Sequence, residues 1–228
     1  MSTSESSPPN LDIGHNFGEI AQIHGYPFEE HFVTTVDGYI LRLFRIPHGL
    51  NDTYSPGRPV VLLQHGLVDP SEIFVIRGTE LSPAFYLANN GYDVWASNSR
   101  GSIHSQNHTI LDPDTDPDYW DFTFVDMVND HQASIEFILN QTGVESLSYF
   151  GVSTGVASML VGLVRQNQWF SDRVNLLISA SAVVRLDYVF GYASLFYGSG
   201  LLFEVLRRYD INRYSPVNEV LRNATSIA

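Results

Sequence analysis

The chain has 228 residues, of which 44% are hydrophobic and 16% charged, a composition typical of a folded globular protein rather than a disordered one. This length predicts one domain with a large core. The formal net charge of −13 would repel nucleic-acid backbones, and the absence of cysteine excludes disulfides, a thiol nucleophile and a thiolate metal site.

The two ends of the chain differ from its middle. Residues 1–12 are polar and rich in serine and proline, so we expect a disordered tail. They also lack the apolar segment of a secretory signal. Near the other end, the longest uncharged apolar run extends from Tyr188 to Phe203. It is shorter than the roughly 20 residues that cross a bilayer, and we expect no transmembrane span.

Four elements are expected in the first half of the chain. The segment Phe32 to Ile46 is rich in β-branched and aromatic residues, and Asp37-Gly38 interrupts it as a two-residue hairpin turn would. This hairpin should open the domain. Val60 to Leu63 is a continuous apolar run typical of a strand that is buried on both faces. A helix from Ser82 to Asn90 and a strand from Tyr92 to Ala96 follow.

The second half continues the alternation of helices and strands. After the polar loop Ser97 to Asp118, apolar spacing predicts a helix within Phe124 to Thr142, then a strand at Leu147 to Phe150. A further helix covers Thr154 to Val164, and a strand covers Leu176 to Val184. This order predicts an α/β fold with a mainly parallel sheet and the antiparallel hairpin at its edge. Ligands of such sheets bind at the carboxyl ends of the strands.

One such strand end carries a candidate nucleophile. Gly151-Val152-Ser153-Thr154-Gly155 fits the G-x-S-x-G nucleophile elbow, in which small residues let a strand and a helix pass closely around a strained serine. The alternative is an ordinary turn, since glycine and serine are common in turns. The predicted strand before the motif and the helix after it favour the elbow, with Ser153 as the nucleophile.

A second strand end carries candidate oxyanion donors. His65-Gly66-Leu67 follows the buried strand directly, where this fold places a backbone N–H donor. The backbone N–H groups of Leu67 and Thr154 would then bind a developing oxyanion. Alternatively, Gly66 only turns the chain. For His65 itself we favour a local hydrogen bond that holds the loop.

Longer stretches of sequence carry a family resemblance. HGYPFEEHFVTTVDGYILRLFRIPHG, LLQHGL, GYDVWASNSRG and DPDYWDFTFVDM, in this order between about Ile20 and Val184, resemble the acid lipases, the group of gastric lipase, lysosomal acid lipase and fungal steryl ester hydrolases. The resemblance implies an α/β-hydrolase fold and a serine esterase without a cofactor. Its substrate would be a triacylglycerol or sterol ester, met at a lipid–water interface.

The resemblance also identifies site residues and departures from the family. It places the nucleophile on Ser153 and the oxyanion donors on Leu67 and Thr154, whereas Val152 and Thr154 stand where the family usually has His and Gln. Family members are secreted, lysosomal or vacuolar, although no signal peptide is visible here.

The catalytic triad cannot be completed from the expected order Ser, Asp or Glu, His, because the last histidine, His131, precedes Ser153. We therefore expect a partial chain whose sheet is incomplete at the C-terminus. Residues 13–187 would form the N-terminal part of the hydrolase core, and residues 188–228 would begin a lipid-binding cap. The alternative function is an inactive lipase-like chain that binds an apolar ligand or a protein partner.

Other polar clusters have simpler interpretations. His104 and His108 are four residues apart but lie in a predicted loop without further ligands, so we expect no metal site. The acidic run Asp112 to Asp118 lacks the EF-hand spacing and is interpreted as a solvated loop. Asp126 and Asp130 belong either to a solvated or capping side of their helix or to a polar network under the active site.

Overall fold

In the computed structural model, the described residues are 12–67 and 69–184. Seven strands form one mixed sheet with the order β1-β2-β4-β3-β6-β7, and the short β5 pairs with β2. The strands are β1 (Glu29–Thr34), β2 (Tyr39–Ile46), β3 (Val60–Gln64), β4 (Asp93–Ser97), β5 (Asn107–His108), β6 (Leu147–Val152) and β7 (Val174–Ala180). The tail expected at residues 1–12, apart from Asp12, and the cap expected at 188–228 lie outside the described residues.

The predicted hairpin is present at one edge of the sheet. Strands β1 and β2 pair antiparallel up to Thr34 opposite Ile40. The backbone N–H of Thr35 then bonds the carbonyl of Tyr39, which leaves a three-residue loop rather than the expected two-residue turn. Gly38 closes this loop with φ 96°, a conformation that glycine adopts without strain.

The parallel part of the sheet comprises β4, β3, β6 and β7, as expected from the alternating elements. Strand β3 is buried along its whole length. Its successive side chains point to opposite faces. Val61 and Leu63 pack into one core cluster, and Val60 and Leu62 pack into the other. The sheet is therefore covered on both sides, with the carboxyl ends of the parallel strands at one edge.

Six α-helices lie in the described residues and cover the two faces. They are α1 (Phe17–Ile23), α2 (Gly78–Leu81), α3 (Pro83–Asn89), α4 (Met127–Thr142), α5 (Thr154–Arg165) and α6 (Asn167–Ser171). The first core cluster draws its helical residues from α1 and α3, and the second draws them from α4, α5 and α6. The expectation that the hairpin opens the domain is wrong, because α1 precedes it. Asn16 and Glu19 form a capping box at the start of α1. This pair is a sequence signal for the beginning of a helix.

Strand β7 differs from its prediction. It spans Val174–Ala180 and ends four residues before the predicted Val184. It pairs only with β6 among the described residues, and its apolar Leu176 and Ile178 side chains are 52% and 42% exposed. No helix within the described ranges has the length and apolarity needed to span a bilayer.

Candidate active site

Ser153 occupies a strained position between a strand and a helix. Strand β6 ends at Val152 and α5 begins at Thr154, so Ser153 alone makes the turn. Its backbone has φ 52° and ψ −115°, outside the ordinary regions for a residue with a side chain. Such strain persists only where the surroundings enforce it, and it concentrates at functional sites.

Two glycines allow the close packing that enforces this turn. A Cβ atom on Gly155 would lie 2.7 Å from both the Cγ of Gln64 and the carbonyl oxygen of His65. On Gly151 it would lie 2.8 Å from a ring carbon of Tyr149. Any larger residue would therefore push the start of α5 away from the end of β3. The spacing G-x-S-x-G thus has the physical basis that the sequence suggested.

The loop after β3 lies directly beside Ser153. A Cβ atom on Gly66 would be 3.1 Å from the Cβ of Ser153 and 3.8 Å from its Oγ. Because successive Cα atoms are about 3.8 Å apart, Leu67 is within about 10 Å of Ser153. Neither Leu67 N–H nor Thr154 N–H donates to another described residue. Within the described part of the chain, both backbone donors are therefore without an acceptor next to the serine.

His65 is buried and holds this loop. Its Nδ1 atom lies 2.7 Å from the carbonyl oxygen of Gly66, and the backbone N–H of Ser99 donates to its Nε2 atom at 3.1 Å. Burial lowers the pKa of His65 below its usual range. The local hydrogen bond expected from the sequence is present, and both ring nitrogens are occupied.

Arg100, the residue after Ser99, belongs to a buried ionic network. Arg100 donates from its backbone N–H and its guanidinium to Asp130, and the same guanidinium contacts Asp37 in the hairpin loop. Burial raises the pKa of Asp130 to about 6 despite these contacts, which leaves it ionised at neutral pH. Asp37 is less buried, and hydrogen bonds from Arg100 and Thr35 lower its pKa to about 2.

The histidine that is closest in sequence to the elbow does not face Ser153. His131 is fully buried, and its Nε2 atom bonds the Oγ of Ser158 at 2.7 Å. Burial, with the charge of Arg100, lowers its pKa to about 3. All eight histidines lie in the described residues, and each has a hydrogen-bond partner other than Ser153. None of these hydrogen bonds joins a histidine to Ser153.

Two family descriptions match the sequence. Residues 17–78 match a "Partial alpha/beta-hydrolase lipase region", and residues 59–210, two thirds of the chain, match "alpha/beta hydrolase fold". The chain belongs to the α/β-hydrolase fold family. The fold expected from the sequence is therefore confirmed.

Individual relatives of this α/β-hydrolase chain include lipases. It is 43% identical over 181 residues to the gastric triacylglycerol lipase of Bos taurus and 39% identical over 183 residues to the lysosomal acid lipase/cholesteryl ester hydrolase of Macaca fascicularis. Each match covers 78% of this chain and 45% of the relative, so the chain spans about half the length of the curated relatives it matches. The chain also resembles the crystal structure of a bacterial membrane phospholipase A, with a TM-score of 0.52 and 15% sequence identity. The match covers 79% of this chain and 48% of the phospholipase, and it shows a similarity of fold alone.

The remaining polar residues singled out in the sequence bond groups other than Ser153. His104 bonds Glu72, and His108 bonds the carbonyl of Asp37. In the described part of the chain, no group of three potential ligands is arranged to hold a metal ion. Asp126 precedes α4 and accepts bonds from the backbone N–H and the hydroxyl of Thr123, and its side chain makes no capping bond to the helix. The acidic run includes turns and a short 3-10 helix, Pro117–Trp120.

Sequence reasoning missed Ser99 and Arg100 and left Asp130 with two alternatives. The structure selects the polar network for Asp130. Its partner Arg100 is 30 residues away in sequence, and Asp37 is 63 residues from Arg100. Neither composition nor local spacing carries a signal for such pairings.

Proposed function

We propose that this chain carries the nucleophile and the oxyanion hole of a serine hydrolase that acts on lipid esters. In the proposed reaction, Ser153 Oγ attacks the ester carbonyl and the N–H groups of Leu67 and Thr154 bind the resulting oxyanion. The C–O bond to the alcohol then breaks, and the alcohol leaves with the proton that a base has taken from Ser153. Water hydrolyses the acyl-enzyme in the second half of the reaction.

The observation that carries this proposal is the meeting of two strand ends. Ser153 has φ 52° between β6 and α5, and Gly66 approaches it so closely that only a glycine fits without displacement. A structural turn has no need of a strained serine beside two backbone N–H groups, those of Leu67 and Thr154, that have no acceptor among the described residues. Such an arrangement has the parts that an acyl-transfer site needs, apart from the base.

Lipid esters are proposed as substrates because of the relatives. The names of two of them state a triacylglycerol and a cholesteryl ester as substrates. The similarity covers less than half of each relative, so the choice between the two substrates belongs to the experiment below.

The proton acceptor is proposed to come from outside the 228 residues. Every histidine of the chain bonds elsewhere, and His65 and His131 are buried with lowered pKa values. Without a base, the oxyanion hole alone retains only about 10³–10⁴-fold acceleration over water. The absence of a hydrogen bond between Ser153 and any histidine is also the observation that favours the second candidate, an inactive lipase-like chain that binds an apolar ligand or a partner.

A chimera separates the two candidates. The matched region of the bovine gastric lipase is replaced by the corresponding residues of this chain, and hydrolysis of tributyrin and of a cholesteryl ester emulsion is measured. We expect hydrolysis of at least one substrate and its loss by a factor of about 10⁵ or more in Ser153→Ala, as for other serine hydrolases that lose the nucleophile.

Ser148→Ala is the matched control in the chimera. Ser148 lies on β6, the strand that leads to Ser153, but its Oγ donates a hydrogen bond to the side chain of Asn175. It should leave the rate nearly unchanged. A chimera that unfolds cooperatively yet hydrolyses neither ester, or one whose rate survives Ser153→Ala, contradicts the proposal and favours the inactive alternative.

A further inference from the structure

The hydrogen bonds of His65 determine where its ring carries a proton. The backbone N–H of Ser99 can only donate, so the Nε2 atom that lies 3.1 Å away must accept with its lone pair. The hydrogen of the neutral ring is therefore on Nδ1, and it is donated to the carbonyl oxygen of Gly66 at 2.7 Å. The side chain is buried, and water does not compete for either bond.

This second bond acts on the peptide unit that contains a proposed oxyanion donor. The carbonyl of Gly66 and the N–H of Leu67 belong to one planar peptide group, and no peptide bond of the described chain is cis. In a trans peptide these two groups point in opposite directions. If His65 fixes the Gly66 carbonyl on its own side, the Leu67 N–H is directed away from the ring.

We propose that His65 is a positioning residue, which in its Nδ1–H form orients the Gly66–Leu67 peptide so that the Leu67 N–H receives the oxyanion formed at Ser153. This inference rests on the proposed function. It assigns to His65 a role other than that of a base, since both ring nitrogens are committed to backbone partners.

Ser99, which bonds the His65 ring, is itself held by neighbouring residues. Ser99 accepts a hydrogen bond from the Nε2 atom of Gln64 to its Oγ, and the next residue, Arg100, donates its backbone N–H to the buried Asp130. Two consecutive residues of the loop after β4 are thus fixed to β3 and α4. Because Ser99 is fixed in this way, the His65 ring that bonds it is also held in place, and so is the Gly66 carbonyl that bonds the ring.

The first test measures the protonated nitrogen directly. The 228-residue chain is labelled uniformly with 15N and 13C, and long-range 1H–15N correlation spectra are recorded at neutral pH, with the His65 ring assigned through its own backbone resonances. The inference predicts the Nδ1–H form for His65, the less common form of free neutral imidazole. An Nε2–H or cationic ring would overturn it. This test does not depend on enzymatic activity.

The second test uses a matched pair of substitutions. The side-chain amide of His65→Asn can replace Nδ1 and keep the bond to Gly66, whereas that of His65→Gln can replace Nε2 and keep the bond to Ser99. Each variant loses one buried hydrogen bond, so their losses of stability should be similar. A purely structural role would affect both variants equally.

The measured rate is the phosphonylation of Ser153 by an alkyl fluorophosphonate, followed by intact-protein mass. Added imidazole accepts the proton of Ser153 as the Oγ–P bond forms and fluoride leaves. We expect His65→Gln to slow labelling at least about tenfold, because removal of a whole oxyanion donor costs about 10²–10³. His65→Asn should retain most of the rate.

The outcomes distinguish this inference from the proposed function. Equal labelling rates in two folded variants would overturn the positioning role. Absence of labelling at Ser153 in the unsubstituted chain, with His65 in the Nδ1–H form, would instead contradict the nucleophile. If both variants fail to fold, the NMR measurement on the unsubstituted chain still decides for or against the orientation.

Discussion

Replacing Gly155 by alanine should destabilise the protein, although alanine is normally the better helix residue. Within a helix, Gly→Ala ordinarily stabilises by about 0.5–1 kcal/mol. At Gly155 the new methyl group would lie 2.7 Å from the Gln64 side chain and from the carbonyl oxygen of His65. The second of these is backbone at the end of a buried strand, and overpacking of this kind costs about 1–3 kcal/mol.

The overpacking cost less the helix gain leaves a net loss of up to about 2.5 kcal/mol. For a chain of this size each kcal/mol lowers the melting temperature by about 2–4 °C, so a decrease of up to about 10 °C is expected in a thermal melt. Phosphonylation of Ser153 should also slow, because the start of α5 must move away from β3.

Gly162→Ala provides the control within the same helix. Its added methyl group would lie 2.6 Å from the buried ring of Phe170, and its three nearest atoms would all belong to that ring. We expect a loss of stability here too, but an unchanged labelling rate. An increase in the melting temperature of Gly155→Ala, as at an open helical site, would refute the reasoning about the elbow.

Three further predictions concern the base, the pH dependence and the sheet edge. The purified 228-residue chain should hydrolyse p-nitrophenyl butyrate negligibly without added imidazole; a lipase-like rate that Ser153→Ala abolishes would mean that a base exists among these residues. The pKa of His131 is about 3, below the ordinary 6.5, so its contribution to the free energy of unfolding is lost as pH falls from 6.5 towards 3, by about 1.4 kcal/mol per pH unit. His131→Gln, which can keep the bond to Ser158, should flatten chemical-denaturation stability between pH 6.5 and 4.5, and an unchanged slope would contradict the assignment. Among the described residues, β7 has no strand on its outer side and exposes Leu176 and Ile178, so we expect the chain to associate at micromolar concentrations and Ile178→Lys to reduce this association in light scattering. A clean monomer of the unsubstituted chain would show that this side of β7 is protected.

The sequence predicted the elements whose signals are local. The run Val60 to Leu63 is apolar throughout because β3 is covered on both faces, and the observed strand extends it by only one residue. Gly143 ends α4 in the left-handed conformation, at φ 72°, which the helix stop had indicated. The elbow was predictable because its glycines, strand and helix are contiguous.

Features that depend on distant residues were not predictable in this way. The hairpin loop has three residues because Thr35 pairs with Tyr39, although Asp37-Gly38 alone indicates a two-residue turn. Strand β7 ends at Ala180, and the apolar residues that follow it gave no signal for this end. The network of Arg100 with Asp130 and Asp37 joins three separate parts of the chain, and one sequence does not reveal such contacts.

We propose that Ser153 and the N–H groups of Leu67 and Thr154 surround one oxyanion. A crystal structure of the chain after reaction with the alkyl fluorophosphonate would show this arrangement, because the phosphonyl oxygen occupies the place of the oxyanion. We expect a phosphorus–oxygen bond to Ser153 Oγ, with the phosphonyl oxygen about 3 Å from both backbone nitrogens. A phosphonate on another residue, or a phosphonyl oxygen that contacts neither N–H, would contradict it.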